Sequence, residues 1–378
     1  MNNALQDKKY MRMCFSLAEK ACGLTSPNPM VGAVIVKKGK IIGQGYHTRA
    51  GAPHAEIAAL KQAGPAAAGA TLYINLEPCC HYGKTPPCTE AIIKARIAKV
   101  VVAMQDPNPL VSGNGLKQLQ AAGIVTQHGL LEEEAKKLNE VFTKYITSKR
   151  PFMVLKTAMS LDGKIATSSG ESQWITGEKA RRFAHDLRLS YDAVMVGIGT
   201  VLKDDPLLTY RGNAENSKQP IRIIADSSGK IPIESKLLKD PQKARTIIAV
   251  TKNAIASKLK KLTNAGAEVL LVQADGGRVD LDDLCNKLGS MGITSILVEG
   301  GGELNASLIA AHLVDKFLIF VAPKIIGGIR AVSLVQGKGI ANLRDAYTCG
   351  RFKIKRLGND LLLETYPLKS SGKKRPSF

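Results

Sequence analysis

His54, Glu56, Cys79 and Cys88 are the residues of this chain whose types and order can do chemistry. One imidazole and two thiolates can hold zinc, and a catalytic zinc site keeps its fourth position for water. Zinc lowers the pKa of such a water from about 16 to about 7, which makes a nucleophile near neutral pH. Glu56, two positions from His54, is placed to take a proton from the water and pass it on. Pro53 before His54 and Pro78 before Cys79 predict two helix starts, with ligands in the first turns. Helix N-termini there would stabilise the thiolates. The competing reading is a closed four-ligand zinc knot, with Cys80 or His81 as the fourth ligand, which leaves Glu56 without a role. Cys80 is expected to point away from Cys79.

His-x-Glu followed by Pro-Cys and a second cysteine is similar to the signature of zinc deaminases. The simple form of that signature is Cys-x-x-Cys. Here the eight residues Cys80 to Pro87 separate the two cysteines. In that loop His81 and Lys84 could bind an anion, and Gly83 allows a turn.

The elements that must position these residues follow from periodicity. Asp7–Cys22 is expected as a helix with Tyr10, Cys14, Leu17 and Ala21 on one face, stopped by Ser26-Pro27-Asn28-Pro29. Val31–Val36 and Lys40–Gly45 predict a hairpin. A helix over 55–62, a strand over 71–75, a helix over 89–96 and a strand over 100–104 come next. Helix 115–122, strand 124–127 and helix 132–146 complete a three-layer α/β/α pattern. Ser148-Lys149-Arg150-Pro151 marks the expected boundary, giving domains over 1–149 and 150–368 and a basic, disordered tail over 369–378. Beyond the boundary, strands are expected at 152–158, 193–196, 221–225, 246–250, 268–272, 294–298 and 316–321. Helices are expected near 178–189, 254–264, 279–290 and 303–311.

The chain has 378 residues and 44% hydrophobic residues, enough for two cores. Its polar N-terminus lacks the apolar core of a signal peptide and no run of 18 apolar residues occurs, so a cytoplasmic protein without a membrane span is expected. Seven cysteines, three of them clustered, suggest metal binding rather than a disulfide framework. The formal net charge is +21. Residues 1–150 hold 19 Lys/Arg against 10 Asp/Glu, and the remainder 34 against 22, so no single basic domain exists. Basic runs interleaved with aromatics are missing, which favours phosphorylated metabolites over nucleic acid as partners.

Further along, four segments carry polar residues between glycines. They are Lys156–Lys164, Gly170–Gly177 with the single Trp174, Val196–Arg211, and Leu297–Asn305. The helix over 178–189 carries Arg181, Arg182, His185 and Arg188. Gly300-Gly301-Gly302 ends a strand and opens a helix, whose backbone amides can cradle phosphate. It is not the Gly-x-Gly-x-x-Gly fingerprint, so a standard Rossmann site is not supported.

Glu77–Cys88, Thr25–Pro29, Gly45-Tyr46-His47 and Asp106-Pro107-Asn108-Pro109 resemble the deaminase half of the bifunctional riboflavin-biosynthesis deaminase/reductases, and the four later segments resemble the reductase half. The resemblance runs over roughly residues 7 to 366. It implies an α/β architecture, a cytidine-deaminase-like domain followed by a dihydrofolate-reductase-like domain, with one zinc ion and NADPH. By resemblance, Asn28, His47, His81 and Lys84 would contact the first substrate. Ala158, Trp174, Thr200, Asp204, Ser227, Gly301 and Gly302 would border NADPH, with Asp205 the rival to Asp204. Ser172, Arg188, Leu208, Arg211 and Glu299 would border the second substrate, with Arg188 and Arg211 able to grip a phosphate. The implied reactions are deamination of 2,5-diamino-6-ribosylamino-4(3H)-pyrimidinone 5′-phosphate, then reduction of ribosyl to ribityl. A homodimer or higher homo-oligomer through the reductase half is also implied. Two rivals stand beside this reading: a tRNA or free-base deaminase with a fused binding domain, and a zinc-stapled RNA-binding protein.

Overall fold

Gly32–Lys37 (β1) turns at Lys38-Gly39 and returns as Lys40–Tyr46 (β2), antiparallel to it. Lys38 and Gly39 both take positive φ, which a tight two-residue hairpin requires. The computed structural model describes residues 2–82, 86–109, 111–212, 218–240 and 243–368. It divides into two units, Met1–Lys149 and Arg150–Phe378.

In the first unit, Thr71–Leu76 (β3), Lys99–Met104 (β4) and Val125–His128 (β5) complete a sheet of order β2-β1-β3-β4-β5. β1 pairs antiparallel with β3, and β3, β4 and β5 run parallel. Asn2–Glu19 (α1) buries Tyr10, Met11, Cys14, Phe15 and Leu17 against this sheet. Ala55–Ala63 (α2), Cys88–Lys94 (α3), Asn114–Ala121 (α4), Glu132–Leu138 (α5) and Glu140–Ser148 (α6) follow. One long helix was expected over 132–146, but Asn139 divides it. The buried Asn139 side chain accepts from the Met30 amide at 2.8 Å and donates to the Met30 carbonyl at 3.0 Å. Tertiary hydrogen bonds thus override local helix periodicity there.

Glycines let α2 lie directly on β2. A Cβ at Gly45 would stand 2.6 Å from Ala58 Cβ and 2.8 Å from the Ala55 carbonyl oxygen. Gly45→Ala is therefore expected to cost about 1–3 kcal/mol and to lower bound zinc per chain, because the displaced helix begins beside His54. Urea unfolding and metal analysis check both effects.

The second unit is built on a nine-stranded sheet. Its strands are Phe152–Ser160 (β6), Ala193–Gly197 (β8), Ile221–Ala225 (β9), Thr246–Val250 (β10), Glu268–Leu271 (β11), Ser295–Val298 (β14), Lys316–Ala322 (β15), Lys353–Leu357 (β17) and Asp360–Thr365 (β18). The order is β11-β10-β9-β8-β14-β6-β15-β18-β17. Pairing is parallel from β11 to β15 and antiparallel for β18 and β17. Short pairs of strands, Lys164–Ala166 (β7) with Val332–Ser333 (β16) and Ala274–Asp275 (β12) with Arg278–Val279 (β13), lie outside this sheet. The crossovers carry Glu178–Asp186 (α7), Ile198–Asp204 (α8), Lys236–Lys239 (α9), Ala256–Asn264 (α10), Leu281–Ser290 (α11) and Gly302–Ala310 (α12). Met153, Leu155, Met195, Ile223, Ile247 and Ile296 fill the core.

The β17–β18 hairpin was not expected. Its signal is Gly358-Asn359, two turn residues between Leu357 and Asp360, with Gly358 at φ 70°. The expected tail, 369–378, lies outside the described residues.

Candidate metal centre and nucleotide cavity

α2 opens at His54, its N-cap, so that His54 and Glu56 sit in adjoining positions at one helix end. Cys88 opens α3 behind Pro87. Cys79 does not start a helix as its proline suggested. It precedes α3 and is tied to it, because the Cys88 amide donates to Cys79 Sγ at 3.3 Å and the Thr89 amide to the Cys79 carbonyl at 3.2 Å. The ligand atoms of His54, Cys79 and Cys88 lie within 4.8 Å of one another. His54 Nδ1 is 3.2 Å from Cys88 Sγ and 3.5 Å from Cys79 Sγ. Among the described residues neither Cys80 nor His81 belongs to this group.

The donor set suits zinc. One imidazole and two sulfurs are a borderline-soft trio with room for a further ligand. The hydrogen bond from Cys88 takes Cys79 down to about 4, and the same bond pushes Cys88 up. Cys79 is thereby poised as a thiolate. Glu56 is buried, and burial, reinforced by the Cys79 charge, pushes its carboxyl up to about 7. A carboxyl in that range exchanges protons readily near neutral pH.

His47 is buried beside the trio, its ring edge-on to His54 at 5.4 Å. Its Nδ1 donates to the Pro53 carbonyl at 3.2 Å, so Nε2 accepts from Asn28 Nδ2 at 3.1 Å. Burial holds its pKa below the usual histidine range. Asn28 and His47 are thus brought together next to the metal ligands. Asn75 supports them by donating to the Met30 carbonyl at 2.9 Å and accepting from the Gly32 amide at 2.7 Å. Glu77, given no role by its position in the motif, is buried and accepts from the amides of Asp106, Gly113 and Leu116. It thereby fixes the chain entering Pro78-Cys79. His81 is exposed, and Lys84 lies outside the described residues.

In the second unit a cavity of about 720 Å³ opens at the carboxyl ends of β6, β8, β9 and β14. That is where ligands enter open parallel sheets. Ala158, Thr200, Asp204 and Ser227 line it, as do Gly301 and Gly302. Ser172 and Glu299 border the same space. Asp205 instead accepts from the Lys236 amide at 2.8 Å. The volume falls in the range of cofactor pockets. A Cβ at Gly199 or Gly301 would meet no protein atom within 4 Å, so both glycines keep the cavity clear. The amino end of α12 faces it at Gly301-Gly302 and can receive phosphate oxygens. These features fit a dinucleotide such as NADPH.

Four expected residues stand outside this lining. Trp174 is 61% exposed, with the Arg181 guanidinium 4.6 Å from its ring centroid. Leu208 is buried at φ 52°, and Arg211 is exposed. Arg188 is not free for a phosphate. Its Nε and Nη2 donate to Glu299 at 2.9 and 3.1 Å, and its Nη1 to the Thr209 carbonyl at 2.8 Å. Lys156 Nζ also donates to Glu299, at 3.1 Å. Burial opposes ionisation of Glu299, yet Lys156 and Arg188 outweigh it and hold the carboxyl down at about 2. Sequence reasoning also missed Lys203, Lys230 and Arg278 on the cavity wall. Lys203 lies near the end of α8, Arg278 opens β13 and Lys230 lies in the loop after β9.

Comparison with known proteins follows the same division. Residues 4–104 match the cytidine and deoxycytidylate deaminase zinc-binding region, and residues 151–363 match the RibD C-terminal domain. The riboflavin biosynthesis protein RibD of Aquifex aeolicus is 46% identical over 358 residues, covering 94% of this chain and 97% of that protein. That of Actinobacillus pleuropneumoniae is 44% identical, with 95% of each covered. The structure of Acinetobacter baumannii RibD superposes with a TM-score of 0.87 at 37% identity, over 97% of this chain and 100% of the other. The two rival readings, a tRNA or free-base deaminase and a zinc-stapled RNA-binding protein, are not favoured by these matches. Two-domain coverage, the trio of His54, Cys79 and Cys88 and the cavity of the second unit agree: the chain belongs to the RibD family of bifunctional riboflavin-biosynthesis enzymes, in which a zinc deaminase is joined to an NADPH-dependent reductase.

Proposed function

We propose that residues 1–149 deaminate 2,5-diamino-6-ribosylamino-4(3H)-pyrimidinone 5′-phosphate and that residues 150–368 reduce the deaminated product's ribosyl group to ribityl. The observation that carries the reading is the trio of His54, Cys79 and Cys88 beside buried Glu56. The Thermotoga maritima relative, 36% identical with a TM-score of 0.84, is described as a diaminohydroxyphosphoribosylaminopyrimidine deaminase/5-amino-6-(5-phosphoribosylamino)uracil reductase.

When bound, zinc supplies the Lewis acidity that makes water nucleophilic near neutral pH. His54, Cys79 and Cys88 would hold it. Glu56 takes one proton from the water and returns it to the ring nitrogen, then carries the second, from the hydroxyl now on the ring carbon, to the departing amino group, which leaves as ammonia while the carbon becomes a carbonyl. Asn28 and His47 orient the ring, with neutral His47 fixed by Pro53. His81 and Lys84 contact the substrate from the loop between the cysteines. When bound, NADPH would supply the hydride in the second unit. Ala158, Trp174, Thr200, Asp204, Ser227 and Gly301-Gly302 border it. Ser172, Glu299, Leu208, Arg188 and Arg211 form the substrate side, where Glu299 can accept from sugar hydroxyls. The protein works as a cytoplasmic homodimer or higher homo-oligomer through the second unit. Among the described residues no helix is long and apolar enough to cross a membrane.

Chelation tests the assignment. Removing zinc is expected to stop ammonia release while NADPH oxidation with the deaminated intermediate continues, and added zinc should restore the first activity at one ion per chain. Ammonia release that persists in metal-free protein would refute the metal role.

A further inference from the structure

We propose that His185 is a positioning residue for the reductase: its neutral imidazole latches the Leu208–Arg211 segment in place, and protonation releases the latch. The inference rests on the reading of Leu208 and Arg211 as part of the substrate side.

The segment is held from three directions. Arg188, itself locked to Glu299, donates to the Thr209 carbonyl. Gln219 grips the Tyr210 backbone at both ends, accepting from its amide at 2.8 Å and donating to its carbonyl at 3.0 Å. His185 makes the third hold. Its Nε2 accepts from the Arg211 amide at 2.8 Å, and its ring stacks on Tyr210 at 5.1 Å with 20° between planes. Of the three, only the His185 hold lies at Arg211 itself.

An amide N–H can only donate, so this hydrogen bond requires Nε2 to be unprotonated. A proton on Nε2 converts the acceptor into a donor and sets two N–H groups against each other. Arg188 and Arg211, the cations facing His185, both disfavour that proton, while Asp186 and Glu299 favour it. Burial is the largest influence and lowers the imidazole's pKa, and the two cations add to it, so the ring stays neutral at physiological pH. As pH falls into the acid range the ring charges, the Arg211 amide loses its acceptor, and Arg211 meets a new like charge. Glu299 does not follow, since its carboxyl is held far lower. The latch therefore opens while the Glu299 ion pair stays closed.

The test compares three variants in the full-length, zinc-loaded protein, using the deaminated pyrimidine phosphate as substrate. His185→Phe keeps the stacking and loses the acceptor. His185→Gln keeps an acceptor and loses the titration. Arg211→Ala reports on the segment itself. His185→Phe is expected to raise the substrate KM roughly tenfold, the worth of one hydrogen bond of about 1.4 kcal/mol, with the KM for NADPH retained. His185→Gln is expected to restore the low KM near pH 7.5 and to flatten its rise on acidification. The second ionisation of the substrate phosphate, near pH 6, affects wild type and His185→Gln alike and cancels in their ratio. If Arg211→Ala raises KM but His185→Phe does not, or if His185→Gln keeps the wild-type acid profile, the latch is overturned and the substrate-side reading survives. If Arg211→Ala leaves KM unchanged, that reading falls and the latch falls with it.

Discussion

Glu56→Gln is expected to slow ammonia release by roughly 10²- to 10⁴-fold, the usual worth of a positioned proton carrier, while NADPH oxidation with the deaminated intermediate proceeds. Glutamine matches glutamate in size and fills the same buried site at the start of α2. It cannot accept a proton from the water or hand one to the departing amino group. The residue is no ligand in the trio of His54, Cys79 and Cys88, so bound zinc should remain at one per chain. Metal analysis therefore separates loss of proton transfer from loss of metal. Cys88→Ser, by contrast, should lose zinc and ammonia release together.

The second large effect concerns stability. Glu299→Ala would leave Lys156 and Arg188, both largely buried, without their shared carboxylate. Removing one partner of a buried ion pair costs about 3–5 kcal/mol, because the remaining charges stay uncompensated. The Thr209 hold would loosen as Arg188 loses its anchor, so reductase activity should fall as well. The pH dependence has a definite sign. A carboxyl taken from an ordinary value of 4.5 down to about 2 in the folded protein contributes stability above pH 4.5. That contribution, about 3 kcal/mol at neutral pH, is lost as pH falls from 4.5 toward 2. Urea unfolding of wild type and Glu299→Gln should show a gap at pH 7 that narrows across this window. A constant gap would assign the effect to packing instead.

The deaminase ligands were legible because donor chemistry leaves few options. A histidine, a glutamate two positions on and two later cysteines carry their meaning in residue type, and the fold needed only to gather them. Pro78 misled because the helix waits for Pro87, and Cys79 is held from outside it by the Cys88 amide. Asn139 misled for a similar reason: its partner, Met30, is 109 residues away. In the second unit the glycine run at Gly300–Gly302 was readable as a phosphate cradle, while Thr200 and Asp204 came from the family resemblance, and all of them line the cavity. The pairing of Arg188 was not readable. The resemblance gave it a phosphate grip, whereas its forked donors meet a carboxylate that stands 111 positions later. Long-range ion pairs of this kind leave no periodic trace. The β17–β18 hairpin was visible in Gly358-Asn359, but its strands carry too little apolar alternation to stand out.

One time course tests the central claim most directly. The zinc-loaded protein is mixed with the diaminopyrimidine phosphate, and ammonia and NADPH are followed together, with and without NADPH present. Two sequential activities in one chain predict ammonia release in both arms, NADPH consumption that lags behind it, and equal final amounts of ammonia formed and NADPH oxidised. No ammonia from the zinc-loaded protein, or NADPH consumption that precedes and outruns ammonia, would contradict it.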